Sequence, residues 1–148
     1  MKQYNIENIK LYFTPMEQNL SLEPAQSTSD DRNLIGALLY ISIGIRLDVN
    51  YSVNHLNRFQ NSYGGSHYKY ASRILKYLYL NRKLKLICKR NLNAEVIDCF
   101  FDADCSGDKV DRKSTTGFII RFIGNAIYWK SRKQSSVTKS SAAEYVAL

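Results

Sequence analysis

Two aspartates separated by one residue, Asp102 and Asp104, lie in or directly after a segment with the character of a β-strand. Because alternate residues of a strand project to the same side of a sheet, both carboxylates are expected on one face. A third acid, Glu144, falls where the sequence predicts the start of a helix. Carboxylate oxygens are the ligands that Mg²⁺ prefers. A strand carboxylate beside a helix carboxylate predicts a divalent-metal site suited to phosphodiester hydrolysis.

The two aspartates belong to an acidic stretch, residues 95–111, that holds six acids and a single base. The six acids are Glu95, Asp98, Asp102, Asp104, Asp108 and Asp111. A polar loop of this composition is also typical of a solvated turn. On the residues alone, a metal site and a solvated turn both stay open.

Basic residues dominate the part of the chain before the acids. Acids are absent from Val49 to Ala94, and nine bases fall in that span. They are Arg58, Lys69, Arg73, Lys76, Arg82, Lys83, Lys85, Lys89 and Arg90. A stretch of one sign interleaved with tyrosines suits phosphate neutralisation and base stacking, as nucleic-acid contact requires. The alternative is a solvated basic face without a polyanionic partner.

Hydrophobic periodicity places these charges on elements. Apolar residues at helical spacing predict a helix near 31–44, with Asp30 or Asp31 as its cap, and a second helical stretch through 49–59. A third helix is expected after Gly64-Gly65, with Ser66 as its cap. The chain before residue 30 predicts an extended lead-in.

Strand-like segments follow Asn81. Candidate strands cover 84–88, 95–101, 116–122 and 126–130, and Gly124-Asn125 is the expected turn between the last two. The residues from Ser140 onward predict the start of a further helix.

Composition excludes several classes of protein. With 148 residues, 45% of them hydrophobic, the chain is expected to form one compact body or two small ones. No apolar run has the roughly 18 residues that a membrane span needs, and neither a secretory signal nor a zinc-ligand pattern is present. Three cysteines without a CxxC pair favour an intracellular setting, cytoplasmic or nuclear.

The motifs of the chain resemble, in order, those of copia-type retrotransposon Pol polyproteins. Near the acids the resemblance lies in DADCSGDKVDRKSTTGFI from Asp102, GNAIYWKSRKQSSV from Gly124 and AAEYVAL from Ala142. Upstream it lies in TPM at Thr14, DRNLIGALLYIS from Asp31, IRLDVNYSVNHLNRF from Ile45 and HYKYASRILKYL from His67. The upstream motifs are similar to the reverse transcriptase tail and connection, and the later ones to the entry of the ribonuclease H domain.

The resemblance implies an α+β fold, in which a short helical connection segment precedes a truncated RNase H-like antiparallel sheet of three strands plus the start of a helix. It implies an extended lead-in over 1–30, a helical, basic connection over 31–91, and the first part of an RNase H-like domain over 92–148. Asp102 and Glu144 match family carboxylates that bind metal and act in catalysis, with Mg²⁺ as the cofactor.

The expected partners are an RNA/DNA hybrid and the rest of the Pol polyprotein, with no membrane and no small-molecule substrate. The residues expected to bind nucleic acid are Arg73, Lys76, Arg82, Lys83, Lys85, Lys89 and Arg90. The family's polymerase aspartates lie upstream of the matched segment, and a further nuclease acid lies downstream. The chain alone is therefore expected to be inactive.

Departures from the family pattern bear on this expectation. Cys105 stands where the family has tryptophan, and Arg46-Leu47-Asp48 stands where it has RPD. The stretch before Glu144 is one residue shorter, which rotates the following helical residues by about 100°. A non-catalytic basic nucleic-acid-binding module and a relic copy of the element are the alternatives.

Overall fold

A computed structural model describes residues 12–18, 20–25, 32–91, 93–104 and 113–135. Within these residues, three α-helices precede three β-strands: α1 (Arg32–Gly44), α2 (Asn50–Asn57), α3 (Gly65–Leu80), β1 (Ile97–Asp104), β2 (Thr115–Phe122) and β3 (Asn125–Lys133). Short 3-10 turns occupy Leu47–Val49 and Gln60–Ser62. The expected α+β class is confirmed. The helix expected at Ser140 lies outside the described residues.

The chain divides into two compact units, Met1–Lys85 and Leu86–Leu148, called here the helical unit and the sheet unit. The sequence-based division at residues 30 and 91 stays a prediction. In the described part of the chain, no helix is both long enough and apolar enough to span a membrane.

The core of the helical unit is built from the predicted apolar positions of all three helices. Its fully buried members include Leu34, Ile35, Leu38, Val49, Val53, Leu56, Ala71 and Ile74, and Tyr63, which was not predicted, joins them from the stretch just before α3. The lead-in contributes as well, because Leu22 is buried in the same cluster and the backbone N–H of Ala25 donates to the carbonyl of Ser62. Burial of these side chains holds the short helices together, since helices of this length are marginal in isolation.

The beginning of α3 corrects one expectation. Ser66 is not the cap, because the helix begins at Gly65 with Gly64 as its N-cap residue. The backbone N–H of Gly64 donates to Nδ1 of buried His67 over 3.2 Å, which satisfies a donor that the first turn leaves unpaired. The caps expected for α1, Asp30 and Asp31, lie outside the described residues.

The sheet unit is an antiparallel meander in the order β1-β2-β3. The strand expected over 84–88 is wrong: these residues form no regular secondary structure and pair with no described strand, and Leu84 and Leu86 are exposed. Alternation of apolar and basic residues gave a strand signal there, but a strand also needs a hydrogen-bonded neighbour.

The turn between β2 and β3 lies one residue earlier than expected. Phe122 pairs with Asn125, so Ile123 and Gly124 form the two-residue loop, with φ of 49° and 76°. Two successive positive φ angles match the right-handed twist of the flanking strands. Asn125 begins β3 instead of forming the turn.

Candidate nucleic-acid interface and metal ligands

Asp102 occupies an open position on the sheet. It lies in β1 opposite Gly117 of β2, and Gly117 in turn pairs with Ser131 of β3. Partners across antiparallel strands share a face, and Gly117 has no side chain to cover the carboxylate. A Cβ placed on Gly117 would meet nothing within 4 Å, and Asp102 is exposed. The carboxylate is therefore accessible to a hydrated cation.

The second predicted metal ligand, Glu144, lies outside the described residues, so its pairing with Asp102 stays a prediction. The backbone of Asp104 belongs to β1 opposite Thr115. Among the described residues, no three His, Cys, Asp or Glu side chains come together as a metal-binding group. Asp102 is therefore the one of the two predicted metal ligands whose side chain the structure describes.

Another acid of the same stretch, Asp98, is engaged within the sheet. Nη2 of Arg121 donates to its carboxylate over 2.9 Å, and the guanidinium lies 4.4 Å from the ring centroid of Phe100. The cross-strand register explains the pairing, because Asp98 lies directly opposite Arg121. The local sequence gave no signal for this contact, since the two residues are 23 positions apart.

Two of the predicted nucleic-acid-binding residues, Arg73 and Lys76, lie on α3, and Arg73 is already engaged with the lead-in. Its guanidinium donates to the carbonyl and hydroxyl oxygens of Thr14, pairs with Glu17 and stacks 4.6 Å from the ring centroid of Tyr12. Arg73 is thus a structural link between α3 and the lead-in.

The other five predicted contacts follow α3 and form the basic segment, Arg82–Arg90, in which every residue is exposed. They are Arg82, Lys83, Lys85, Lys89 and Arg90. The guanidinium of Arg82 covers the ring of Tyr79, with its carbon 4.9 Å from the centroid. The remaining cations face solvent, where they are accessible to phosphates.

Within the sheet unit, Asn125 fixes the backbone of the basic segment. Its Oδ1 accepts the N–H of Lys89 over 2.6 Å, and its Nδ2 donates to the carbonyl of Lys89 over 2.8 Å. In these two bonds the side-chain amide of Asn125 takes the place of a backbone amide in the pairing between two strands. Sequence reasoning gave Asn125 only a turn role and missed this contact.

A cluster of polar side chains secures the helical unit before the basic segment. Nε and Nη2 of Arg46 donate to both oxygens of Asp48 over 2.9 and 2.7 Å, and the hydroxyl of Tyr77 donates to Asp48 over 3.0 Å. Nη1 of Arg46 also donates to the carbonyl of Asn81, over 3.2 Å. The cluster therefore connects the turn after α1 to the C-terminal end of α3.

Protonation equilibria reflect this geometry. The hydrogen bonds from Arg46 lower the pKa of Asp48, although partial burial acts in the opposite direction. Burial and the hydrogen bond to Asp48 raise the pKa of Tyr77. Asp48 is consequently ionised and Tyr77 neutral at neutral pH.

Comparison with known proteins identifies the family. A retrovirus-related Pol polyprotein from transposon RE1 of Arabidopsis thaliana is 34% identical over 147 residues, which are 95% of this chain and 10% of that protein. The corresponding polyprotein from transposon TNT 1-94 of Nicotiana tabacum is 29% identical over 159 aligned residues, covering 99% of this chain and 12% of that protein. The chain thus spans about a tenth of the length of these polyproteins.

A shorter relative is covered more completely. The secreted RxLR effector protein 161 of Plasmopara viticola is 32% identical over 115 residues, which are 77% of this chain and 80% of that protein. No family model and no solved structure matches. The chain belongs to the family of retrovirus-related Pol polyproteins of copia-type transposons, as its motifs predicted.

Proposed function

We propose that this chain is the part of a copia-type Pol polyprotein that joins the reverse transcriptase tail to the ribonuclease H domain, and that it binds an RNA/DNA hybrid. One observation carries the proposal: an alignment to Pol polyproteins over 95% of the chain contains a span, Val49–Ala94, with nine bases and no acid. Such a distribution favours a polyanion as the partner. The rest of the Pol polyprotein is the proposed protein partner.

The basic segment supplies most of the phosphate contacts in this proposal. Its cations Lys83, Lys85, Lys89 and Arg90 are exposed. Within the sheet unit, Asn125 holds the backbone at Lys89, which fixes the position of that part of the segment. Lys76, Arg82 and Arg73 add positive charge within the helical unit, and Arg73 does so while it remains paired with the lead-in.

Asp102 and Glu144 are the proposed catalytic metal ligands for Mg²⁺. The hard carboxylate oxygen of Asp102 suits the ion, and its exposure beside Gly117 leaves room for the waters that Mg²⁺ retains. A bound Mg²⁺ would polarise a phosphoryl oxygen and stabilise the charge that develops during hydrolysis. Asp102 itself would orient the ion at the edge of β1.

A salt titration of hybrid binding tests the proposal. Log affinity for a labelled RNA/DNA hybrid should fall linearly with log salt, with a slope of about −0.9 per phosphate neutralised, taking duplex DNA as the guide. The double variant Lys83→Gln/Lys85→Gln should make the slope shallower by about 1.8. The matched control Arg58→Gln/Lys69→Gln removes two charges that lie outside the basic segment and should change the slope less.

The outcomes separate clearly. An equal effect of the two double variants would show that net charge, and not the basic segment, determines binding. An unchanged slope in Lys83→Gln/Lys85→Gln would refute the assigned contacts.

A second candidate is a binding module without catalysis, which the exposed cations of the basic segment support without any metal ligand. Mg²⁺ binding distinguishes the two, because the chain alone is expected to be inactive in either case. Mg²⁺ binding in isothermal titration calorimetry that Asp102→Asn abolishes supports the metal site, whereas hybrid binding without Mg²⁺ binding supports the module.

A further inference from the structure

The two faces of the sheet differ in chemistry. Register places three aromatic side chains on one face, one from each strand: Phe101 lies opposite Phe118, and Tyr128 lies opposite Ile120, two residues further along β2. This side is called here the aromatic face. Asp98 and Asp102 alternate with Phe101 along β1, so the described acids of the sheet lie on the other face.

The three rings form a row across the strands. The centroids of Phe101 and Phe118 are 6.1 Å apart, and those of Phe118 and Tyr128 are 5.5 Å apart. Phe101 is 39% exposed and Tyr128 is 48% exposed. Phe118, between them, is half-buried. Burial normally contributes most of an aromatic side chain's stabilising effect, so two exposed rings on either side of Phe118 indicate a contact surface.

Basic side chains complete the aromatic face. Lys130 pairs with Phe118 and Arg132 pairs with Thr116, which places both cations on the same side as the rings. Both are exposed, and within the described part of the chain neither is in an ion pair. Two exposed cations beside a row of rings, with the described acids on the far side, complement a strand that carries phosphates and unpaired bases.

We propose that the aromatic face binds single-stranded nucleic acid, with bases stacked on Phe101 and Tyr128 and backbone phosphates at Lys130 and Arg132. A duplex buries its base faces in its own stack, so only an unpaired strand presents faces to these rings. The row of three rings is about 12 Å long by its centroid spacings and accommodates two or three bases. The site goes beyond the proposed hybrid binding, which uses the basic segment.

Fluorescence anisotropy with a labelled 12-nucleotide oligothymidylate and the full 148-residue chain tests the site. Tyr128→Ala should weaken binding about five- to 140-fold, the range for losing one stacked base. Tyr128→Phe should restore most of the affinity, because the ring and not the hydroxyl carries the contact. The matched control Phe100→Ala removes an exposed ring from β1 on the opposite face and should bind like the unaltered chain.

A second variant tests the phosphate contacts. Lys130→Gln/Arg132→Gln should make the salt slope for the single strand shallower by about 1.4, at 0.7 per phosphate. Circular dichroism of each variant confirms that the sheet is folded. Phe101→Ala tests a second ring of the row. If the sheet does not tolerate Phe101→Ala, Tyr128→Ala alone decides.

Three outcomes would overturn the site: no measurable binding of the oligonucleotide, equal losses in Tyr128→Ala and Phe100→Ala, or an unchanged salt slope in Lys130→Gln/Arg132→Gln. If Tyr128→Ala still binds the hybrid with the same dependence on the basic segment, the proposed function stands even when the single-strand site is refuted. Conversely, loss of the hybrid salt dependence alone would leave the single-strand site standing.

Discussion

Removing the Asp48 carboxylate should destabilise the helical unit more than any other single change to its polar side chains. In Asp48→Ala, the Arg46 guanidinium loses two hydrogen bonds while its side chain remains only 8% exposed. Breaking one side of a buried ion pair costs about 3–5 kcal/mol. Because the Asp48 side chain is 31% exposed, water replaces part of the loss, and about 2–4 kcal/mol is expected.

Thermal unfolding followed by far-ultraviolet circular dichroism measures this loss. A domain of the size of the helical unit, Met1–Lys85, loses about 4–8 °C in Tm per kcal/mol, so a decrease of roughly 8–32 °C is expected. Tyr77→Phe removes one hydrogen bond to the same carboxylate and should cost about 1–2 kcal/mol. Glu23→Ala, at an exposed acid of the lead-in, is the control and should stay within about 0.5 kcal/mol.

Acid provides an independent check on the same cluster. Since Arg46 lowers the pKa of Asp48 below its usual 3.8, the stabilisation is complete above that pH and is lost as pH falls through the lowered pKa. The stability difference between the unaltered chain and Asp48→Ala should therefore shrink in strong acid. The reasoning is refuted if Asp48→Ala costs less stability than Tyr77→Phe at neutral pH. It is also refuted if the cost of Asp48→Ala stays constant down to strong acid.

Three further predictions concern other parts of the fold. Burial lowers the pKa of His67 below 6.5, so stability should fall as pH decreases from 6.5 toward that lowered pKa, and His67→Gln should remove this dependence in urea unfolding curves. Ile123→Asn should raise the unfolding free energy by about 1 kcal/mol, because a β-branched residue at positive φ is strained and Asn-Gly suits the turn. Gly124→Ala should lower the unfolding free energy by a similar amount, because it places a side chain at positive φ. Asn125→Ala should speed hydrogen exchange at the Lys89 amide by tenfold or more if the side-chain bond protects it, and unchanged exchange would exclude that role.

The sequence was sufficient for features that depend on local periodicity. Helical spacing of Leu34, Leu38 and their neighbours predicted α1, and alternation with turn residues located the β2–β3 hairpin. The sequence was insufficient where a residue distant in the chain determines the local structure. Segment 84–88 alternates like a strand yet is unpaired with any described strand, and the α3 cap depends on the buried His67 ring instead of the Ser66 hydroxyl.

The candidate site divides in the same way. Residue types and order were enough to single out Asp102 and the basic segment, and the structure places both at accessible positions. The contacts of Arg73 with the lead-in and of Asn125 with Lys89 join residues 36 or more positions apart, so no local pattern could predict them. Leu47 stands where the family's RPD motif has proline, and Arg46 and Asp48 on either side of it form an ion pair.

Hybrid binding by the basic segment is tested most directly by the salt dependence of RNA/DNA hybrid affinity after four of its cations, Lys83, Lys85, Lys89 and Arg90, are changed to glutamine. We expect the slope of log affinity against log salt to become shallower by about 3.6 while the fold remains intact. A slope equal to that of the unaltered chain would contradict this expectation.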